Sequence, residues 1–235
     1  MELAFRTNLD TINSLRNEVG YEADNYSLKR KNFKRSIKQL IQPKDGILNG
    51  STIKDIYFPS TTLGGTKYDF FISHSHNNEE EAIVLANWLE YYYHCSCFID
   101  SLAWKSSDEL LREIDNVYCY KRHSKTYDYK KRNFTTSHVH AILSMALLDT
   151  IINSRYCIFI ESDESISLRN GLNKKTFSPW LYEEIKYMTI LQSTRKTKTF
   201  SMADSLNEGF KIEYDTDGLE KFQFLDINRI KQLEV

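Results

Sequence analysis

The sequence predicts an α/β protein: an open parallel sheet flanked by helices, with a helical N-terminal extension. Three observations carry this prediction. Tyr68-Asp69-Phe70-Phe71-Ile72-Ser73, Ser96-Cys97-Phe98-Ile99-Asp100 and Tyr156-Cys157-Ile158-Phe159-Ile160 are short apolar runs of the kind that form buried parallel strands. Apolar residues at helical spacing separate them, first Ala82, Leu85, Trp88, Leu89 and Tyr92, later Val139, Ile142, Leu143, Ala146, Leu147 and Ile151. Strand and helix alternating in this way imply a parallel sheet with right-handed crossovers.

Along the chain, residues 1–60 read as the extension. Phe33, Ile37, Leu40 and Ile41 make the apolar stripe of a helix that Pro43 and Asp45-Gly46 end in a turn. Its other face is basic, with Lys29, Arg30, Lys31, Lys34, Arg35 and Lys38. That face reads as solvated, since no base-stacking aromatics are interleaved with its cations. Residues 61–235 form the α/β domain. Its first strand ends in Ser73-His74-Ser75, and Asn77, Asn78 and three glutamates follow at a helix start. After the second strand, Asp108 to Val117 read as a short helix. Residues 118–137, rich in Tyr and Lys and without period, read as a surface insertion. The helix from Val139 to Ile151 leads into the third strand. Over the C-terminal residues 210–235 come a strand at Lys211 to Tyr214, a turn at Asp217-Gly218 and a closing helix from Asp226 to Leu233.

Composition narrows the function classes. A chain of 235 residues with 41% hydrophobic content buries one sizeable core plus extensions. The formal net charge is -1, so no global field favours nucleic acid or a membrane surface. No apolar run approaches the roughly 18 residues of a membrane span. The start, Met1 to Arg6, lacks the charged-then-apolar pattern of a secretory signal, and a soluble intracellular protein is expected. Cys95, Cys97, Cys119 and Cys157 are scattered and read as thiols. Cys95 and Cys97 lie at period two with no second pair, so no metal site is expected.

The stretch Ser178-Pro179-Trp180-Leu181-Tyr182-Glu183-Glu184 reads as a helix start. Ser178 suits the N-cap and Pro179 the first helical position. Trp180 and Glu184, at i and i+4, project from one face, whereas Glu183 points about 100° away. A strand, a loop and such a helix in that order aim side chains at the carboxyl edge of a sheet, where open α/β folds hold their ligands.

In order and spacing, the strand ending in Ser73-His74-Ser75, the segment Cys97-Phe98-Ile99-Asp100-Ser101-Leu102-Ala103-Trp104-Lys105-Ser106-Ser107 and the W-x-x-x-E helix resemble the Toll/interleukin-1 receptor (TIR) domain. The resemblance runs from about Lys67 to Thr199 and implies a flavodoxin-like sheet. Many TIR domains cleave the bond between nicotinamide and ribose in NAD+. It therefore implies an NAD+ nucleosidase, hydrolase or cyclase, with NAD+ as substrate and no cofactor or metal. In that reaction nicotinamide leaves as a neutral base, and a carboxylate beneath the ribose stabilises the oxocarbenium-like transition state. The resemblance places this carboxylate at Glu184. Trp180 either walls the nicotinamide or ribose pocket or simply packs. Ser73, His74 and Ser75 offer hydroxyls and an imidazole from the first strand end, with His74 read as hydrogen-bonding or structural in preference to a general base. Asp100, Ser101, Trp104 and Lys105 fall in what the resemblance makes the BB loop, which closes over nucleotide or packs on a neighbouring domain. Trp104 there either stacks on a base or is an interface aromatic. His138 and His140 flank a helix start and read as capping or surface residues.

Stand-alone TIR proteins with extra segments resemble those of bacterial anti-phage systems of the Thoeris type. This implies a cytoplasmic enzyme whose product activates a separate effector, the product being ADP-ribose, a cyclic form or an amino-acid conjugate. It also implies a homo-oligomer through TIR surfaces, with neither a membrane nor nucleic acid among the expected partners. Two other readings stand beside this one. One is a non-catalytic TIR scaffold that self-associates through its BB loop. The other is an enzyme like the nucleoside deoxyribosyltransferases, with a glutamate as covalent nucleophile. The chain departs from the family pattern in three places. Asn77 and Asn78 stand where an acidic residue often follows the first strand, the BB loop has neither proline nor glycine, and the 118–137 insertion is not part of a minimal TIR domain.

Overall fold

The computed structural model describes residues 3–19, 49–57, 68–169, 173–193, 214–216 and 218–230. In chain order its first elements are β1 (Leu3–Asn8), α1 (Leu9–Val19), α2 (Gly50–Tyr57), β2 (Phe70–Ser73), α3 (Glu79–Tyr93), β3 (Cys97–Ile99) and α4 (Asp100–Tyr118). There follow β4 (Tyr120–Lys121), β5 (Thr126–Tyr127), α5 (Tyr129–Asn153), β6 (Tyr156–Glu161), β7 (Ser167–Arg169), β8 (Asn173–Thr176), α6 (Pro179–Ser193), β9 (Tyr214–Asp215), β10 (Gln223–Phe224) and α7 (Ile227–Ile230). The chain divides into two compact units. One comprises Met1–Tyr21, Lys67–Ile99 and Ile151–Val235, the other Glu22–Thr66 and Asp100–Thr150.

The first unit is built on a five-stranded sheet of order β10-β1-β6-β2-β3 in which every pair is parallel. This is the flavodoxin-like α/β architecture the sequence predicts, and its three predicted strands are β2, β3 and β6. Strand alternation sorts the core into two faces. On one, the rings of Phe5, Tyr156 and Phe70 follow one another across β1, β6 and β2, with centroids 5.9 and 5.3 Å apart. On the other, Phe71 stacks on Phe98 at 5.8 Å. Helices α1 and α3 pack on each other, while α6 packs against β1. Trp88, at the predicted apolar spacing of α3, is buried and donates its indole N–H to Glu18 of α1 at 3.0 Å.

The N-terminal residues correct the expected domain division. Leu3–Asn8 is an inner strand of the main sheet, between β10 and β6, and not part of a helical extension. Its polar residues Arg6, Thr7 and Asn8 mask it in the sequence, and each makes a side-chain hydrogen bond. Arg6 grips Glu161 of β6 with two hydrogen bonds of 3.0 and 3.1 Å. The Thr7 hydroxyl donates to the Leu225 carbonyl at 3.0 Å. Asn8 caps α1 by accepting from the Thr11 N–H at 3.0 Å. The helix expected over Phe33 to Ile41, with its basic face and its turn at Pro43, lies outside the described residues.

Near the C-terminus, Tyr214 belongs to β9 as a strand residue, but β9 pairs with β8 in a small antiparallel sheet β7-β8-β9. The turn expected at Asp217-Gly218 is present at Gly218, whose φ of 103° is left-handed. Ile227–Ile230 supplies the described part of the closing helix.

The second unit corrects two loop expectations. Asp100 to Ser107 are the first turns of α4, which follows β3 directly. Nothing in Asp-Ser-Leu-Ala-Trp-Lys-Ser-Ser breaks a helix, and without proline or glycine the helix that starts the segment runs on through Tyr118. Residues 118–137 are likewise ordered. β4 and β5 form a hairpin, and α5 begins at Tyr129, where Asp128 accepts from the Lys131 N–H at 3.1 Å as its cap. The first turns of α5 are exposed all round, which is why they show no apolar period. The predicted stripe lies further along α5, with Val139, Leu143, Ala146, Leu147 and Ile151 buried. His138 and His140 are exposed residues inside this helix, not at its start.

Candidate active site

Strands β2 and β6 are neighbours whose onward connections diverge. β2 proceeds through α3 to β3 on one side of the sheet, and β6 proceeds through α6 to β10 on the other. The crevice at their carboxyl ends is a topological switch point, the place where open α/β sheets bind ligands. Ser73, the last residue of β2, is level with Phe159 of β6. Alternation puts Ser73 on the same face as Phe71, Cys157 and Phe159.

Helix α6 brings its carboxylate to that point. Ser178 caps it as predicted, accepting from the Leu181 N–H at 3.3 Å, and Pro179 is its first residue. Glu184, less than two turns in, is fully buried and accepts a hydrogen bond of 2.5 Å from the hydroxyl of Ser73, itself fully buried. A carboxylate in such a place is costly unless hydrogen-bonded, and a hydroxyl donating to it makes one of the stronger kinds of hydrogen bond. The sequence separates the two residues by 111 positions, and the fold joins them. Glu183 is only half-buried, so the helix turns Glu184 and not its neighbour inward. Trp180 is half-buried on the same helix. Burial, reinforced by the charge of Glu184, pushes the Cys157 thiol up and leaves it no role as a nucleophile.

Beside this pair the loops after β2 and β6 are tied together. Ser75 and Ser162 both donate to the side-chain oxygen of Asn78, at 2.5 and 2.6 Å. Ser75 also lies 3.5 Å from Glu164. The β6 loop is closed on itself, with the Ser162 N–H donating to the Ser165 hydroxyl at 2.8 Å and the Ser165 N–H to the Ser162 hydroxyl at 3.1 Å. Ser75, Asn78 and Ser165 are buried. Asn78 therefore stands as the clamp between two strand ends. Sequence reasoning missed Asn78, Ser162, Glu164 and Ser165. The run Ser162-Asp163-Glu164-Ser165 directly follows the third strand, so the strand-end argument applied to Ser73 to Ser75 reaches it as well.

Of the residues expected to line a pocket, Ser73, Ser75, His74, Trp180 and Glu184 belong to the first unit, and His74 is buried. Asp100, Ser101, Trp104 and Lys105 are helical residues of α4 in the second unit, with Ser101 buried. The BB-loop position expected for them is replaced by a place in a helix. Among the described residues no three His, Cys, Asp or Glu side chains converge as a metal site, and no helix is long and apolar enough to cross a membrane. No family model, curated protein or solved structure matches the chain.

Proposed function

We propose that the chain is an NAD+ nucleosidase of the TIR type, with Glu184 as its catalytic carboxylate. One observation carries the reading: the Ser73–Glu184 hydrogen bond at the switch point of a parallel sheet. The C1′–N bond of NAD+ breaks with its electron pair passing to the nicotinamide nitrogen, which leaves neutral. The carboxylate stabilises the positive charge that grows at C1′. Water then adds at C1′ and loses a proton, giving ADP-ribose; a ribose or base atom of the same molecule gives a cyclic product instead. Ser73 fixes the orientation of the carboxylate, and the clamp at Asn78 fixes the strand end that carries Ser73. The product acts in cytoplasmic anti-phage signalling through a separate effector, and the enzyme assembles through its TIR surfaces.

A second reading has its own observation. Glu184 is 0% exposed, so substrate reaches it only after the side chains that cover it move aside. A permanently closed pair would suit a scaffold that works by self-association. Nicotinamide release from NAD+ by the purified chain, at high concentration with a crowding agent, separates the two. Wild-type release that falls about 100-fold or more in Glu184→Gln, with mass spectrometry naming the second product, supports the enzyme. NAD+ left intact by assembled protein supports the scaffold.

A further inference from the structure

The hairpin β4–β5 and the first turns of α5 form a surface whose chemistry the sheet-edge site does not use. From Tyr118 to His138 the sequence has six Lys or Arg residues against one acid, Asp128, and not one Leu, Ile, Val, Met or Ala. Lys121, Arg122, Lys125, Lys130, Lys131 and Arg132 are all exposed. Four rings stand among them, with Tyr120 41%, Tyr127 39%, Tyr129 77% and Phe134 67% exposed. The one acid is taken up by Lys121 at 2.8 Å. Arg122, Lys125 and Lys130 have no ion-pair partner among the described residues.

The scaffold beneath is fixed. Tyr120 and Tyr127 pair across the hairpin, their rings 5.3 Å apart and edge to face. Tyr127 donates to Asn116 of α4 at 2.5 Å, and Arg132 lies 5.2 Å over its ring. Buried Asp115 of α4 accepts from Arg132 at 2.8 Å and from Thr135 at 2.7 Å, locking α4 to α5. Exposed rings on a rigid frame are the property that a stacking platform needs, because the rings lose little freedom on binding.

We propose that this surface docks single-stranded nucleic acid. Phosphates meet the unpaired cations, and unstacked bases lie on the exposed rings. The absence of aliphatic side chains sets it apart from a membrane-surface element, which needs Leu-type groups to enter the acyl boundary. A chain net charge of -1 conceals the patch, since the balancing acids lie elsewhere in the sequence.

Fluorescence anisotropy with the full chain tests this, using labelled oligouridylate, oligothymidylate, a mixed-sequence duplex and phosphatidylserine vesicles. Either single strand binding more tightly than the duplex supports the proposal. The variant Arg122→Glu/Lys125→Glu/Lys130→Glu then loses affinity and its slope of log K against log salt falls by about 2. Tyr129→Ala/Phe134→Ala loses about 30-fold or more in affinity with the salt slope unchanged. Both variants alter only exposed side chains, and unchanged melting confirms that they fold. Duplex bound as tightly as single strand, binding indifferent to the loss of the rings, binding to vesicles alone, or no binding to any probe overturns it.

Discussion

Glu184 and Ser73 show how much of the site single residues disclose. Glu184 was singled out by the resemblance, while the cap Ser178 and the first-turn Pro179 that start its helix were legible from the residues and are kept in the structure. Ser73 was legible as a strand end. That the two touch was not, because a contact across 111 residues depends on which strand becomes the neighbour of which. Asn78 escaped for a different reason: an amide among polar loop residues has no pattern of its own, and its value appears only when two hydroxyls converge on it. The residue scale also separates catalysis from packing. Glu184→Gln replaces a buried charge by a neutral group of the same shape, which relieves desolvation. Differential scanning fluorimetry should therefore show a melting temperature at or above that of the wild type. A fall of several degrees would make Glu184 a structural residue and not a catalytic one.

At the element scale, the sequence discloses elements with an apolar period and hides those without one. β2, β3, β6, α3 and the later part of α5 carry apolar patterns and were found. β1 was hidden by Arg6 and Asn8, and the start of α4 by an expectation of a loop drawn from resemblance. The start of α5 was hidden by its full exposure. Two elements make predictions. Gly218 sits at left-handed φ against α6, and a Cβ there would lie 2.4 Å from the Thr189 side chain. Gly218→Ala is therefore expected to cost roughly 1–3 kcal/mol in urea unfolding, from backbone strain and overpacking together. An unchanged midpoint would contradict the turn. In the β4–β5 hairpin, Lys121 and then the Lys131 N–H hold the Asp128 carboxyl at about 2, below its ordinary 3.8. Because the folded value is the lower, the contribution is complete above 3.8 and disappears as pH falls through about 2. NMR titration should place the Asp128 midpoint near 2, and Lys121→Ala should raise it; a midpoint unmoved by that substitution would refute the pairing.

At the scale of the whole molecule, the sheet takes strands from both ends of the sequence. β1 supplies an inner strand and β10 an edge, so the stretch from β2 to α6 does not complete the sheet on its own. The prediction follows directly. A chain lacking residues 1–60 loses the partner of β6 and β10, and should show no cooperative unfolding transition by circular dichroism. Cooperative melting of that fragment would restore the reading of residues 1–60 as an extension outside the α/β domain. The same topology creates the switch point, since β6 and β2 are brought together while their connections run apart. Fold class was therefore legible from strand and helix alternation, whereas strand order was set by non-local pairing that no local pattern encodes.

The claim that Ser73 and Glu184 work as one catalytic unit is tested most directly by a double-mutant cycle on nicotinamide release. Ser73→Ala, Glu184→Gln and the combined variant are compared with the wild type. The account predicts that Ser73→Ala costs about tenfold, that Glu184→Gln costs about 100-fold or more, and that the combined variant is no worse than Glu184→Gln alone. Release unaffected by Glu184→Gln, or losses that multiply independently in the combined variant, would contradict it.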